Sequence, residues 1–220
     1  MGMRGGFIAA ECAWLALAEV LEVLGGPPVD EGPVSQAQWP RVPAGDSVLY
    51  AASQDGRCYL LDSLMVASSD SDLILELSRR LSCAVVGGGA ATVTGTFWFT
   101  AARMGRLRRV HHDEKVSLTE PFNIGEPLDS ERITPFDNPD GVGVLGGAHA
   151  AGFDVDVILH GPASGGRRVR WPIREFPIRG ELGRKLDEHR HTHPQPDSAG
   201  WERNIKVIPR GSGQFDFRAW

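Results

Sequence analysis

Two histidine-rich segments hold the side chains best suited to chemistry. His189, His191 and His193 alternate with other residues. Imidazole nitrogens bind zinc, nickel or copper, and residues at i, i+2 and i+4 converge on one face of a strand but not of a helix. The segment is hydrophilic and runs into Pro194, so a solvated loop is the simpler reading and a metal site the alternative. The second segment is His111-His112-Asp113-Glu114. A histidine beside a carboxylate can do general acid–base work, because imidazole titrates near neutrality. No serine or cysteine carries a local nucleophile signature, and there is no Gly-x-Ser-x-Gly elbow. A polar strand end is the simpler reading here. A catalytic role for His111, His112 and Asp113 is the alternative.

Other motifs are weaker. Gly87-Gly88-Gly89 follows an apolar run, as phosphate loops do, but a Thr/aromatic segment comes next instead of a helix, so a dinucleotide site is rejected. Gly141 to Gly147 fits a loop or a tight packing element better than a nucleotide site. Arg103, Arg106, Arg108 and Arg109 form one basic cluster, and Arg167, Arg168, Arg170 and Arg174 another. Either could touch phosphates, yet the acidic remainder argues against nucleic acid. Cys12, Cys58 and Cys83 are far apart, lack a Cys-x-x-Cys pair and sit in apolar stretches. They read as small core hydrophobes, not as a disulfide framework or zinc site. No metal or other cofactor is expected.

The elements that would position these residues are legible from periodicity. Gly5–Ala10 reads as a first strand. Trp14, Leu17, Leu21 and Leu24 recur at spacings of three and four, which predicts a helix over 12–24 ended by Gly25-Gly26-Pro27-Pro28. Residues 27–46 read as a loop. Residues 47–61 read as a hairpin about Gln54-Asp55-Gly56. Ser69-Asp70-Ser71-Asp72 offers N-cap oxygens to a helix over 70–82, with Arg79 and Arg80 at its C-terminal end. Cys83–Val86 reads as a strand, and 91–112 as a long hairpin about Met104-Gly105. Residues 113–141 read as a connection. Phe153–Leu159 alternates like a strand, with Arg167–Trp171 pairing back onto it. A short helix at 181–190, a Pro-rich loop at 191–200 and a strand at 205–208 complete the pass.

The expected fold is therefore α+β: a mostly antiparallel sheet with two amphipathic helices on one face, plus a C-terminal extension. Residues 1–130 form the principal domain in this reading, and 131–220 the extension. A 41% apolar, 23% charged composition suffices for a core. Glu11, Glu19 and Glu22 break up the single apolar stretch near the N-terminus, so neither a signal peptide nor a membrane span is expected, and the cytoplasm is the expected location. Residues 1–166 carry net charge −10 and residues 167–220 carry +5, against −5 for the whole chain. An acidic body of this kind suits a basic protein partner, or the chain's own C-terminal segment.

The segment Val48–Leu128 also resembles small bacterial proteins of the immunity or uncharacterised effector-associated kind. The residues that carry the resemblance are the hairpin Val48–Leu61, the helix Leu73–Leu81, the strand Cys83–Val86, the aromatic strand Thr96–Thr100, and His111-His112-Asp113 ahead of Gly125-Glu126-Pro127-Leu128. The resemblance implies an inhibitor-like partner binder and transfers no active-site residue. The leading expectation is thus a non-enzymatic protein that binds and masks another protein, a basic toxin being the type of target. The alternatives are a small metal-dependent hydrolase using His111 and His112 or His189–His193, and an assembly protein that self-associates through hairpin edges.

Overall fold

The structure, a computed structural model, describes residues 4–39, 48–62, 65–92, 94–115, 120–138, 141–171, 180–192, 205–209 and 215–219. Its centre is a nine-stranded antiparallel sheet in the order β2-β9-β3-β4-β1-β5-β6-β7-β8. The strands are β1 (Arg4–Ala10), β2 (Val29–Val34), β3 (Val48–Gln54), β4 (Arg57–Asp62), β5 (Ala84–Ala91), β6 (Thr96–Arg103), β7 (Arg106–Glu114), β8 (Phe122–Ile124) and β9 (Gly166–Arg170). The helices are α1 (Trp14–Gly25), α2 (Ser71–Leu81), α3 (Asp129–Ile133), α4 (Val142–Ala150), α5 (Val155–His160) and α6 (Glu181–Thr192). Strands β10 (Ile205–Pro209) and β11 (Phe215–Ala219) pair with each other. The fold is α+β, as the periodicities predict.

Alternation along the strands divides the core into two layers. Ile8, Ala10, Leu49, Leu60 and Val85 point to one face, called the front, where they meet Leu17 and Leu21 of α1 and Leu73, Ile74 and Leu77 of α2. These five helical residues are wholly buried, and each contributes about 1.5–3 kcal/mol by leaving water. Phe7, Ala9, Tyr50, Tyr59, Val86, Phe97 and Phe99 point to the back, where Phe136, Val144, Ala148, Phe153, Val157 and Ile158 cover them. The two amphipathic helices share one face as expected. The opposite face is closed by Phe136, α4 and α5, with α3 packed against α4, all supplied from beyond residue 128.

Local chemistry sets the boundaries. Asp70 Oδ1 accepts from Leu73 N at 3.0 Å and so caps α2, and Ser82 ends it in the left-handed region at φ 52°. The β3–β4 hairpin turns through Asp55 and Gly56, both at positive φ, and β6–β7 through Met104 and Gly105. Asp62, 2% exposed, accepts from Met65 N and Ser68 N and ties β4 to the approach to α2.

Several elements differ from their sequence patterns. Phe153–Leu159 is not a strand: Asp154 accepts from Asp156 N and Val157 N, caps α5, and turns the segment helical. Arg167–Trp171 therefore has no strand there to pair with. Its β9 lies between β2 and β3 instead, so part of 27–46 is strand. Gly87–Gly89 is the middle of β5, not a loop. A Cβ on Gly87 would lie 2.5 Å from Ile74 of α2, and one on Gly88 2.8 Å from Val144 of α4, so the triplet lets helices on both faces approach one strand. Gly141–Gly147 is the start of α4, where Gly143 meets the Pro135 carbonyl and Gly147 the rings of Phe99 and Phe136. Residues 113–141, read as a connection, contain β8 and α3. Arg174 and the Pro-rich segment after Thr192 lie outside the described residues.

Candidate functional site

Strand β7 carries both halves of one histidine motif to opposite sides of the sheet. The period of two sends His111 and Asp113 to the back and His112 and Glu114 to the front. His111, His112 and Asp113 thus do not form one cluster.

On the back, Arg109 is 4% exposed. Its guanidinium donates to both carboxylate oxygens of Glu131 at 2.8 and 2.7 Å, and to Asn123 Oδ1 at 2.7 Å. It also lies 5.8 Å from the Phe136 ring centroid. Asn123 Oδ1 accepts from Arg109, so the 3.0 Å contact from His111 Nδ1 is an N–H donated to the same oxygen. That leaves Nε2 of neutral His111 as a buried lone pair. Asp113, with no exposed surface, is held by Lys115 Nζ at 2.7 Å, and the same ammonium lies 3.4 Å from Asp137. Burial works against the charge of Lys115, but Asp113 and Asp137 outweigh it and hold its pKa above the ordinary value.

Burial also holds the pKa of His111 below 6.5, more than its contact with Asn123 restores. The folded state therefore binds fewer protons than the unfolded chain. Stability from this group is complete above pH 6.5 and drains away as pH falls below it. The loss is up to about 1.4 kcal/mol per pH unit until the folded pKa is reached. Urea midpoints between pH 7.5 and 5 are expected to fall, and His111→Gln is expected to flatten that slope. Glu114 contributes in a lower window: His112, and then Arg190, hold it at about 2 against an ordinary 4.5, so its share is lost only between those values.

On the front, the second histidine motif meets the first. His189 and His191 lie on α6, not in a loop, and His193 lies outside the described residues. Asp72 of α2 holds the first turn of α6 by accepting from Leu182 N and Gly183 N at 3.1 and 2.8 Å. Near its other end, Arg190 pairs with Glu114, whose Oε1 lies 2.6 Å from His112 Nε2. His189 packs 5.3 Å from the Phe122 ring and contacts the Glu120 carbonyl at 2.8 Å. His191 lies against the Asp187 carbonyl one turn back. Among the described residues, no three His, Cys, Asp or Glu side chains are grouped to hold a metal ion. A cleft of about 320 Å³ lies beneath α6, lined among others by Ser69, Ser71, His112, Glu114, Phe122 and Arg190.

A third feature was missed by sequence reasoning. Helix α1 buries Leu17 and Leu21 but leaves Leu15 70% and Val23 67% exposed on the opposite side. At 100° per residue, Leu15, Glu19, Glu22 and Val23 form one outward stripe. Glu22 lies in the last turn, where the helix dipole disfavours an anion, and no basic residue is there. Among the described residues neither Glu19 nor Glu22 has an ion-pair partner. Ile133 and Val142 are also exposed, but they stand singly on different helices. The signal was available as apolar residues at 15 and 23, out of phase with the 14-17-21-24 face.

Comparison with protein families, curated proteins and solved structures finds no match to this chain. Among the described residues no helix is long and apolar enough to cross a membrane.

Proposed function

We propose that this chain is a non-enzymatic binding protein of the immunity or inhibitor kind, which masks a basic protein partner through the outward stripe of α1. The reading includes a cytoplasmic, bacterial setting. The observation that carries it is that Leu15 and Val23 are exposed on either side of Glu19 and Glu22, across the helix from the buried Leu17 and Leu21. Exposed apolar side chains among unpaired carboxylates do little for the stability of an isolated chain. They suit a partner that supplies apolar contact and positive charge. The net −10 of residues 1–166 would speed the encounter.

The experiment is co-expression of the full chain with the products of the genes flanking its own, followed by size exclusion and calorimetry. A complex with a basic neighbour is expected. Leu15→Asp/Val23→Asp is expected to weaken it at least 100-fold, about 2.7 kcal/mol, with an unchanged melting temperature. An undiminished affinity in that variant would count against the stripe. A second reading rests on the cleft beneath α6, where His112, Glu114 and Arg190 converge: a small-molecule site, with hydrolysis as its chemistry. His112→Ala would abolish ligand binding on that reading and leave partner binding intact on the first.

A further inference from the structure

Strands β1 and β5 pair antiparallel in a register that ends, within the strands, at Ala10 opposite Val85. The ladder continues one step further, with Glu11 N donating to the Ala84 carbonyl at 2.9 Å. Cys12 and Cys83 are the next residues on each side, just outside the strands, and their thiols are in hydrogen-bonding contact. Both side chains pack against the front core layer, so they point the same way, and both are half-buried. Directly opposed residues of an antiparallel pair have Cα atoms about 4.5–5.5 Å apart, within the range a disulfide spans. The sequence positions, 12 and 83, gave no hint of this, because the juxtaposition is made by the ladder.

We propose that Cys12 and Cys83 are a dithiol modification site that closes reversibly to a disulfide on reaction with a low-molecular-weight disulfide of the glutathione class. The inference is independent of what α1 binds. The thiolate of Cys83 attacks one sulfur of the small disulfide, forming a mixed disulfide and releasing one small thiol. Cys12, giving up its proton, then attacks Cys83 Sγ and releases the second. Two electrons pass from the protein to the small disulfide, which leaves as two thiols. In a reducing compartment the pair stays open until that pool becomes oxidised.

The titration of the pair supports this order of events. Contact with the Cys12 thiol holds Cys83 below the ordinary thiol range, while Cys12 is pushed up by the same contact and by burial. The first proton therefore leaves readily, with the negative charge on Cys83. The third cysteine, Cys58, is buried and its thiol is pushed up to about 12 by that burial, so it serves as an internal control. The position matters to the fold because the N-cap of α1 is Ala13, which makes no side-chain cap bond. The closed disulfide would anchor the start of that helix to β5 covalently.

The test is incubation of the full native chain with oxidised glutathione, acid quenching, and thiol counting after unfolding, with peptide mapping. The expected result is one free thiol, Cys58, where the reduced chain has three, and loss of two hydrogens with no retained glutathione. Cys12→Ser is expected to trap glutathione on Cys83. Cys83→Ser, in case that variant does not fold, is expected to remove the rapid reaction. A glutathione adduct persisting on wild-type Cys83, or three free thiols under conditions that oxidise the unfolded chain, would overturn the proposal.

Discussion

Arg109→Ala is expected to destabilise the chain by about 3–5 kcal/mol, the usual cost of stranding one partner of a buried ion pair. The guanidinium satisfies Glu131 through two bonds, holds Asn123, donates to the Val110 carbonyl at 3.1 Å and covers Phe136. Glu131 has a second duty: its Oε1 accepts from Leu128 N and so caps α3. Removing Arg109 therefore leaves a nearly buried carboxylate at the start of α3, beside the α4 helix that covers the back of the sheet. Urea unfolding would read the loss. Replacing both partners, as in Arg109→Met/Glu131→Leu, is expected to cost less than Arg109→Ala alone, because no orphaned charge remains. A double variant as unstable as the single one would shift the explanation to lost packing against Phe136.

The second large effect is expected at Trp171. The ring is wholly buried, and its Nε1 donates to the carbonyls of Leu21 and Gly26, both 3.1 Å away. The Gly26 carbonyl lies just past the end of α1, where no intrahelical donor is left, and the Leu21 carbonyl lies one turn back. Gly25 lies so close to the ring that a Cβ there would stand 2.9 Å from it. Trp171→Ala removes the filling and the donor together, and about 3–5 kcal/mol of stability is expected to go with them. Trp171→Phe keeps most of the bulk and loses the N–H, for about 1–3 kcal/mol. The larger change is also expected to weaken partner binding, because this residue fixes the end of the helix that carries Leu15 and Val23. Unfolding curves of the two variants, compared with each other, separate the packing contribution from the hydrogen bonds.

What the sequence made legible follows the range of the interactions involved. Helix α2 is written locally: its cap at Asp70, its period through Leu73, Ile74 and Leu77, and its cationic last turn all fall within a dozen residues. The hairpins at Asp55-Gly56 and Met104-Gly105 are local too. By contrast, β9 owes its place to partners more than a hundred residues away. Arg167 pairs with Asp30, and Arg168 and Arg170 with Glu31, across the β2–β9 ladder. Read alone, the segment pairs with its near neighbour in sequence, Phe153–Leu159, because nothing local points to Asp30 and Glu31. Helix α5 misleads for a different reason. In Phe153–Leu159 an apolar/polar alternation and an i, i+4 spacing coexist, and the Asp154 cap decides between them.

The candidate site was legible in residue types and illegible in grouping. The neighbours His111, His112 and Asp113 are separated by the sheet, whereas His112 and Arg190, 78 residues apart, come within 3.4 Å. Cys12 and Cys83 are a second instance. The first grouping is made by the docking of α6 onto α2 through Asp72, the second by strand register, and neither was available before the sheet order was known.

Hydrogen exchange of the full chain, free and bound to its partner, tests the central reading most directly. Amides of α1 are expected to gain protection, with those of α6 and β7 unchanged. Slowed exchange confined to the region around His112 and Arg190, with α1 unaltered, would contradict it.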